Sequence, residues 1–216
     1  MRPLSPAAEP APVPVAAFDF DGTLTKGDSL RPFLLRSLGW IGFARALILS
    51  SPWLAAFALR LMSNHQAKAR LLQVSLAGRR QVEIQRQADD FVKYDLPTQW
   101  HAWALQQLRQ HQQQGHRCVI VSASPGIYLH AVAASLGVDT VLCTEMELQG
   151  DRFTGRLATP NCHGEEKVIR LQAWLDATLG PDAKPVIYAY GDTSGDKPML
   201  RMADHAWYRG RPCPNP

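Results

Sequence analysis

The order of the elements predicts an α/β protein, a three-layer, Rossmann-like core on a parallel sheet with an α-helical cap insertion. Three observations predict it. Apolar strand-like runs alternate with helical stretches through the second half of the chain, and that order requires parallel pairing with right-handed crossovers. A long stretch of helical periodicity, almost without strand signals, separates the first strand from this alternation. Three strands end in polar residues (Asp19 and Asp21, Ser122, Asp192) at the edge where parallel sheets bind ligands.

Residues 1–12 are a Pro- and Ala-rich lead-in without periodicity. Residues 13–20 (VPVAAFDF) read as a strand buried on both faces, stopped by Asp21-Gly22-Thr23. Residues 28–109 form the expected cap. Leu30, Phe33, Leu34 and Leu38 recur at helical spacing there, as do Leu54, Phe57, Ala58 and Leu61. A helix near residues 98–114 returns the chain to the core, which comprises residues 13–27 and 110–216. Residues 117–121 (RCVIV) supply a strand running into Ser122-Ala123-Ser124, a helix follows to Gly137, and residues 138–143 give a further strand. Two alternating segments around Gly150-Asp151 predict a β-hairpin over 144–157. Residues 165–179 carry one apolar stripe ended by Gly180-Pro181. A strand over 185–190, a short helix over 198–203 and a strand over 205–208 complete the chain.

Composition narrows the function classes. The chain has 216 residues, 46% hydrophobic and 19% charged, which suits a packed core and excludes a disordered chain. Cys118, Cys143, Cys162 and Cys213 lie apart without metal-ligand spacing, so neither disulfides nor structural zinc are expected. The net charge of +4 favours anionic ligands. No nucleic-acid-binding signature is present, and no nucleic-acid partner is expected. The longest uncharged run of the apolar region, Ala46–Leu59, has fourteen residues, short of the ~20 a membrane-spanning helix needs. With no signal-peptide pattern, the expectation is a soluble cytoplasmic protein.

Asp19 and Asp21 lie two apart where a strand ends, so both carboxylates can enter one cleft. Clustered carboxylates repel unless a cation intervenes. A hard ion such as Mg²⁺ relieves them, with Asp192 completing its oxygen ligands. A carboxylate beside such an ion is a competent nucleophile toward phosphorus. Taken singly, each residue has a plainer reading: a solvated turn for D-x-D, a strand-end cap for Ser122, a solvated helix residue for Lys167, a helix cap for Asp196.

The whole string D-F-D-G-T-L-T (Asp19–Thr25) after an apolar strand resembles the first motif of the haloacid dehalogenase superfamily. Ser122 in VIVSAS resembles its second motif, Lys167 in GEEK its third, and GDTSGD (Gly191–Asp196) its fourth. The helical insertion resembles the cap of the phosphoserine-phosphatase-like branch. The resemblance implies a Mg²⁺-dependent phosphomonoester hydrolase acting on a small phosphorylated metabolite through an aspartyl phosphate. In it Asp19 is the nucleophile and Asp21 the general acid and base. Ser122 donates to a phosphoryl oxygen and Lys167 offsets charge. Asp19, Asp192 and the Asp21 carbonyl hold the metal, and Asp196 orients Lys167 or a metal-bound water. Asp28 stands where the branch places an acidic residue that meets a substrate amino group, or else caps the first cap helix.

Two departures stand beside the substrate. Ser122-Ala123-Ser124 replaces Ser-Gly-Gly, which puts Ala123 on the substrate side, and Gly195 replaces Asn. Phosphoserine is therefore not carried over as the substrate. Trp40 to Phe57, flanked by Arg36, Arg45 and Arg60, is either the buried side of the cap or a surface meeting anionic lipid. The second case would suit a lipid-phosphate phosphatase at the membrane periphery, as in phosphatidylglycerophosphate phosphatases of this branch. Transfer to an alcohol acceptor is a further alternative. A silent binding module is disfavoured by the intact acidic residues.

Overall fold

Every residue from Val15 to Phe18 is buried, and alternate side chains enter different cores. Val15 and Ala17 join one, Ala16 and Phe18 the other. A strand with no polar face has to lie in the middle of a parallel sheet with helices on both sides. The computed structural model describes residues 12–181 and 183–214, so nearly all of the lead-in at 1–12 lies outside the described residues.

The elements in chain order are β1 (Pro14–Phe18), α1 (Leu30–Ala58), α2 (Asn64–Leu76), α3 (Gln81–Asp90), α4 (Ala102–Gln113), β2 (Arg117–Pro125), α5 (Gly126–Leu136) and β3 (Thr140–Thr144). After them come β4 (Met146–Gln149), β5 (Arg152–Leu157), α6 (Glu165–Leu179), β6 (Val186–Gly191), α7 (Lys197–Arg201), β7 (His205–Tyr208) and β8 (Arg211–Pro212). Among the described residues the main sheet has the order β3-β2-β1-β6-β7-β8. It is parallel except for β8. Ala16 of β1 stands between Cys118 of β2 and Tyr188 of β6. Leu171 and Leu175 of α6, with Met199 and Leu200 of α7, fill one core, and Leu108 of α4 and Leu129 of α5 fill the other. The expected three-layer α/β architecture is present. So is the hairpin, as the antiparallel pair β4–β5.

The chain between β1 and β2 is helical, as its periodicity requires. Its returning helix starts at Ala102, a turn later than expected, because Leu96–Gln99 forms a separate short helical turn with Pro97 in its first positions. Ser63 starts α2 with a reciprocal cap: its Oγ accepts from the Gln66 N–H, and its own N–H donates to Gln66 Oε1. The broken segment is α1, interrupted at Gly39, whose φ is +65°. Beyond Gly39 the helix continues past Arg45 and through Pro52, so that by length and composition alone α1 would be long and apolar enough to cross a membrane. Only 17% of its most apolar 18-residue window is buried.

One polar group sits between α4 and the sheet. His111 is buried, its Nε2 2.8 Å from the Tyr190 hydroxyl and its Nδ1 2.7 Å from His116 Nδ1. Burial, reinforced by His116, lowers its pKa from 6.5 to about 4. The folded protein therefore holds this ring neutral where the unfolded chain protonates it. Its contribution is complete above pH 6.5 and is lost as pH falls toward 4. Between pH 7 and pH 5 the loss should be about 1–2 kcal/mol of unfolding free energy. Urea unfolding of His111→Phe should show a lower stability at pH 7 but a flatter dependence over that window. An unchanged slope would assign the acid sensitivity to other groups.

Candidate active site

Four strand and helix ends converge at the carboxyl edge of the sheet. β1 delivers Asp19, β2 delivers Ser122 and Ser124, β6 delivers Asp192, and the first turn of α6 delivers Lys167. The Lys167 side chain is completely inside. An ammonium has three protons and no acceptor, and here all three have partners: Asp19 Oδ1 at 2.6 Å, Asp196 Oδ1 at 2.6 Å and the Val121 carbonyl at 2.8 Å. Burial by itself would lower the Lys167 pKa, but Asp19 and Asp196 hold it above the usual lysine range.

The carboxylates are not equivalent. Burial raises the Asp19 pKa to about 8, opposed in part by Lys167. Burial pushes Asp196 upward as well, but Lys167 and the Thr193 donors outweigh it and leave Asp196 below the usual range. The second oxygen of Asp196 accepts from the Thr193 N–H at 2.9 Å, the Thr193 hydroxyl at 2.7 Å and the Asp192 N–H at 3.2 Å. Asp196 thus orients Lys167 and caps the turn after β6 at once. Asp192, raised by burial, accepts from the Thr23 hydroxyl at 3.2 Å.

The Asp21 side chain takes another direction. Its oxygens accept from the Ser29 N–H at 2.8 Å and the Ser124 hydroxyl at 2.5 Å, and burial raises its pKa. Carboxylate oxygens of Asp19, Asp192 and Asp196 lie within 4.8 Å of one another. The D-x-D spacing suggested that the carboxylates of Asp19 and Asp21 share one cleft with Asp192; Asp196 fills the third place instead, because a strand-end turn rotates Asp21 toward α1. Only the Asp21 carbonyl remains for a metal. Both Asp196 oxygens are engaged, whereas Asp19 Oδ2 and Asp192 Oδ2 receive no hydrogen bond from the described residues. Asp19 and Asp192 each keep an oxygen without a protein donor, and carboxylate oxygens are the hard donors that suit a divalent cation.

The turn that brings Asp19 and Asp192 together needs glycine at position 22. Its φ is +83°, and a Cβ there would overlap the Asp192 carboxylate. A Cβ at Gly195, where the family's motif has Asn, would overlap the His163 ring as it stands. Ser124, at the other departure, supplies a hydroxyl to Asp21 that glycine lacks. Ser122 Oγ accepts from the Ser124 N–H at 3.1 Å, which leaves its own proton for another acceptor.

A cavity of about 60 Å³ opens beside Asp21, lined by Leu30, Lys68, Leu72, Ala123, Ser124 and Asn161 among others. Ala123 lines this cavity. Asp28 stays outside this lining: it accepts from the Arg31 N–H at 3.3 Å and pairs with the Lys68 ammonium. Sequence reasoning missed Lys68 and Ser124. Lys68 lies forty residues from Asp28 on α2, and no local signal marks it. Ser124 was visible as a departure from the motif, but its role depends on the fold.

Residues 16–201 match the haloacid dehalogenase-like hydrolase family. The chain belongs to that family. It is 35% identical to Protein CicA of Caulobacter vibrioides, over 92% of this chain and 88% of that one. A structure of a protein with unknown function from Bordetella pertussis superposes with a TM-score of 0.77 and 25% identity, covering 91% of this chain and 89% of the other. A substrate-bound phosphoserine phosphatase shares the fold, with a TM-score of 0.62 and 14% identity over 91% and 85% of the two chains. A further relative, a probable phosphatase of Mycobacterium tuberculosis, is 33% identical over 44% of this chain and 32% of its own. In this hydrolase Asp19, Lys167 and Asp196 meet directly, with Ser122 and Asp192 at the same sheet edge.

Removing Lys167 should expose how the site is balanced. Lys167→Met leaves buried carboxylates without their cation, and urea unfolding at pH 7 should show a loss of about 3–5 kcal/mol. Adding Asp196→Asn to that variant should restore part of the loss by removing one uncompensated charge. Wild-type stability in Lys167→Met would mean that the carboxylates are balanced by something else.

Proposed function

We propose that this hydrolase is a Mg²⁺-dependent phosphatase that opens phosphate monoesters through an aspartyl phosphate on Asp19. The observation that carries the reading is the grip of Lys167, which occupies Asp19 Oδ1 and leaves Oδ2 without a donor. A carboxylate oxygen fixed in this way is a positioned nucleophile. The fold shared with phosphoserine phosphatases and the partial likeness to a probable phosphatase support it.

In the first step a carboxylate oxygen of Asp19 forms a bond to phosphorus, the ester P–O bond breaks, and the proton of Asp21 goes to the departing alkoxide oxygen. The Ser124 hydroxyl can donate to an ionised Asp21 or accept from a protonated one, so this contact survives both states. Ser122 turns its free proton to a phosphoryl oxygen, and Lys167 offsets negative charge beside the reacting oxygens. In the second step a water attacks phosphorus, Asp21 takes its proton, and the Asp19–phosphorus bond breaks to release phosphate. Asp19, Asp192 and the Asp21 carbonyl would hold Mg²⁺, which supplies positive charge for the phosphate and fixes its orientation.

The helices over residues 28–109 act as a cap on the cavity beside Asp21. Lys68 already neutralises Asp28, so a substrate ammonium would have to displace it. The reading is thus a small phosphorylated metabolite without a free amino group at that place.

Phosphate release from an aryl phosphate tests the mechanism. EDTA should abolish turnover and added Mg²⁺ restore it. Asp19→Asn should be inactive and should fail to bind beryllium fluoride. Asp21→Asn should slow turnover by about 10²–10⁴-fold while phosphoenzyme accumulates from esters with good leaving groups. Near-normal turnover of Asp19→Asn, or full activity in chelator, would defeat the proposal.

A further inference from the structure

The helix α1 has two apolar faces and one covering. Phe43, Ala46 and Ser50 are buried against the rest of the protein, with Leu47, Trp53 and Leu54 partly so. The opposite stripe follows the same spacing: Ile41, Arg45, Ile48, Pro52, Ala55 and Leu59 are all exposed. Ile41 is 88% exposed and Trp40, beside it, 76%. Leu61, just beyond the helix, is 78% exposed. A helix that is hydrophobic all round is normally covered all round, and a contiguous exposed apolar patch marks an interaction surface.

Charge identifies what covers it. Between Asp28 and Glu83 the chain carries eight cationic residues and no acidic one, while the whole protein has a net charge of only +4. The remaining sequence is therefore net acidic, and positive charge is concentrated in the segment that holds the apolar stripe. Several of these cations are engaged: Arg36 with Asp95, Lys68 with Asp28, Arg80 with Asp151, and Arg70 over the Trp53 ring. Arg45, within the stripe, and Arg60, at its end, have no acidic partner among the described residues. Arg60 holds a positive φ of 61° where the helix ends. An exposed apolar stripe with free arginines inside it and at its end is the pattern of a helix lying in the boundary between headgroups and acyl chains. A second copy of the chain fits less well, because a two-fold contact would set these cations against one another.

We propose that the outer face of α1 docks on an anionic lipid bilayer, lying in its interface. The inner face of α1 remains packed on the protein, so the helix rests on the membrane and does not cross it. Leu30 of α1 and Lys68 and Leu72 of α2 also line the cavity beside Asp21, so docking involves the same helices that wall the site. The proposal is independent of the phosphatase reading, because it concerns residues outside that chemistry.

The test is flotation of the full-length protein with two kinds of vesicle, phosphatidylcholine alone and phosphatidylcholine containing phosphatidylglycerol. Wild type should float with the anionic vesicles and stay behind with the neutral ones. Binding should weaken as salt is raised, since headgroup attraction is screened within ~8 Å at physiological ionic strength. I41E/I48E changes only exposed positions and should abolish flotation while leaving aryl-phosphate turnover unchanged. R45E should weaken binding about tenfold or more at low salt. Failure of wild type to bind anionic vesicles at low salt would overturn the proposal, as would flotation of I41E/I48E equal to wild type. Equal binding to neutral vesicles would overturn the anionic assignment. A wild-type dimer in sedimentation that I41E/I48E dissociates, without vesicle binding, would assign the face to a second copy.

Discussion

The Lys167 ammonium is the interaction on which the rest of this structure depends. Bringing a lysine and two carboxylates out of water costs several kcal/mol per ion unless geometry and hydrogen bonding compensate. Here the compensation is complete for the cation, and its three acceptors come from three separate parts of the fold: β1, β2 and the turn after β6. The ammonium therefore cannot be seated until the central strands are aligned and α6 has docked. The same contact that holds Asp19 also registers α6 against the sheet edge.

Asp196 extends this constraint into the backbone. One oxygen faces Lys167 and the other closes the turn over Asp192 and Thr193. A change at Asp196 would therefore reach Asp192 through the chain as well as Lys167 through charge. The glycines at 22 and 195 belong to the same economy of space. Each leaves room for a neighbouring side chain, Asp192 or His163, that a larger residue would displace.

The core architecture was legible in the sequence because its signals are local. An apolar strand ending in D-x-D, the stripe of α6 closed by Gly180, and the Gly150-Asp151 turn of the hairpin each carry their structure within a few residues. The residues at the sheet edge were legible because parallel topology sends every strand end to the same side. Side-chain direction was not. The turn at Gly22 rotates Asp21 toward Ser29 and Ser124, and no spacing rule reveals that Asp196 takes the third place among the clustered carboxylates. Lys68 was hidden because its partner Asp28 is brought near only by the packing of α1 on α2. The uncharged run Ala46–Leu59 is shorter than α1, because charges interrupt a hydropathy count but do not interrupt a helix when they point outward.

Counting charge at the sheet edge gives the last step. Asp19, Asp192 and Asp196 cluster about a single buried ammonium with Asp21 nearby, so a fully ionised site is strongly negative before any substrate arrives. A phosphate dianion entering it would meet a repulsive field that Lys167 alone cannot reverse. Asp19 and Asp192 each keep an oxygen that no described donor occupies, so added positive charge could bind there. Under the proposed function the arrangement is one half of an electrostatic balance: the protein supplies the carboxylates and their orientation, and the proposed divalent cation would supply the charge that lets an anion approach them. Of the basic segment from Ser29 to Val82, Lys68 reaches this balance, lining the cavity beside Asp21 and opposing the rise of its pKa, while Arg45 and Arg60 face away from acidic partners. Two separate charge distributions, one acidic and buried, one basic and exposed, are built into one chain whose small net charge conceals both.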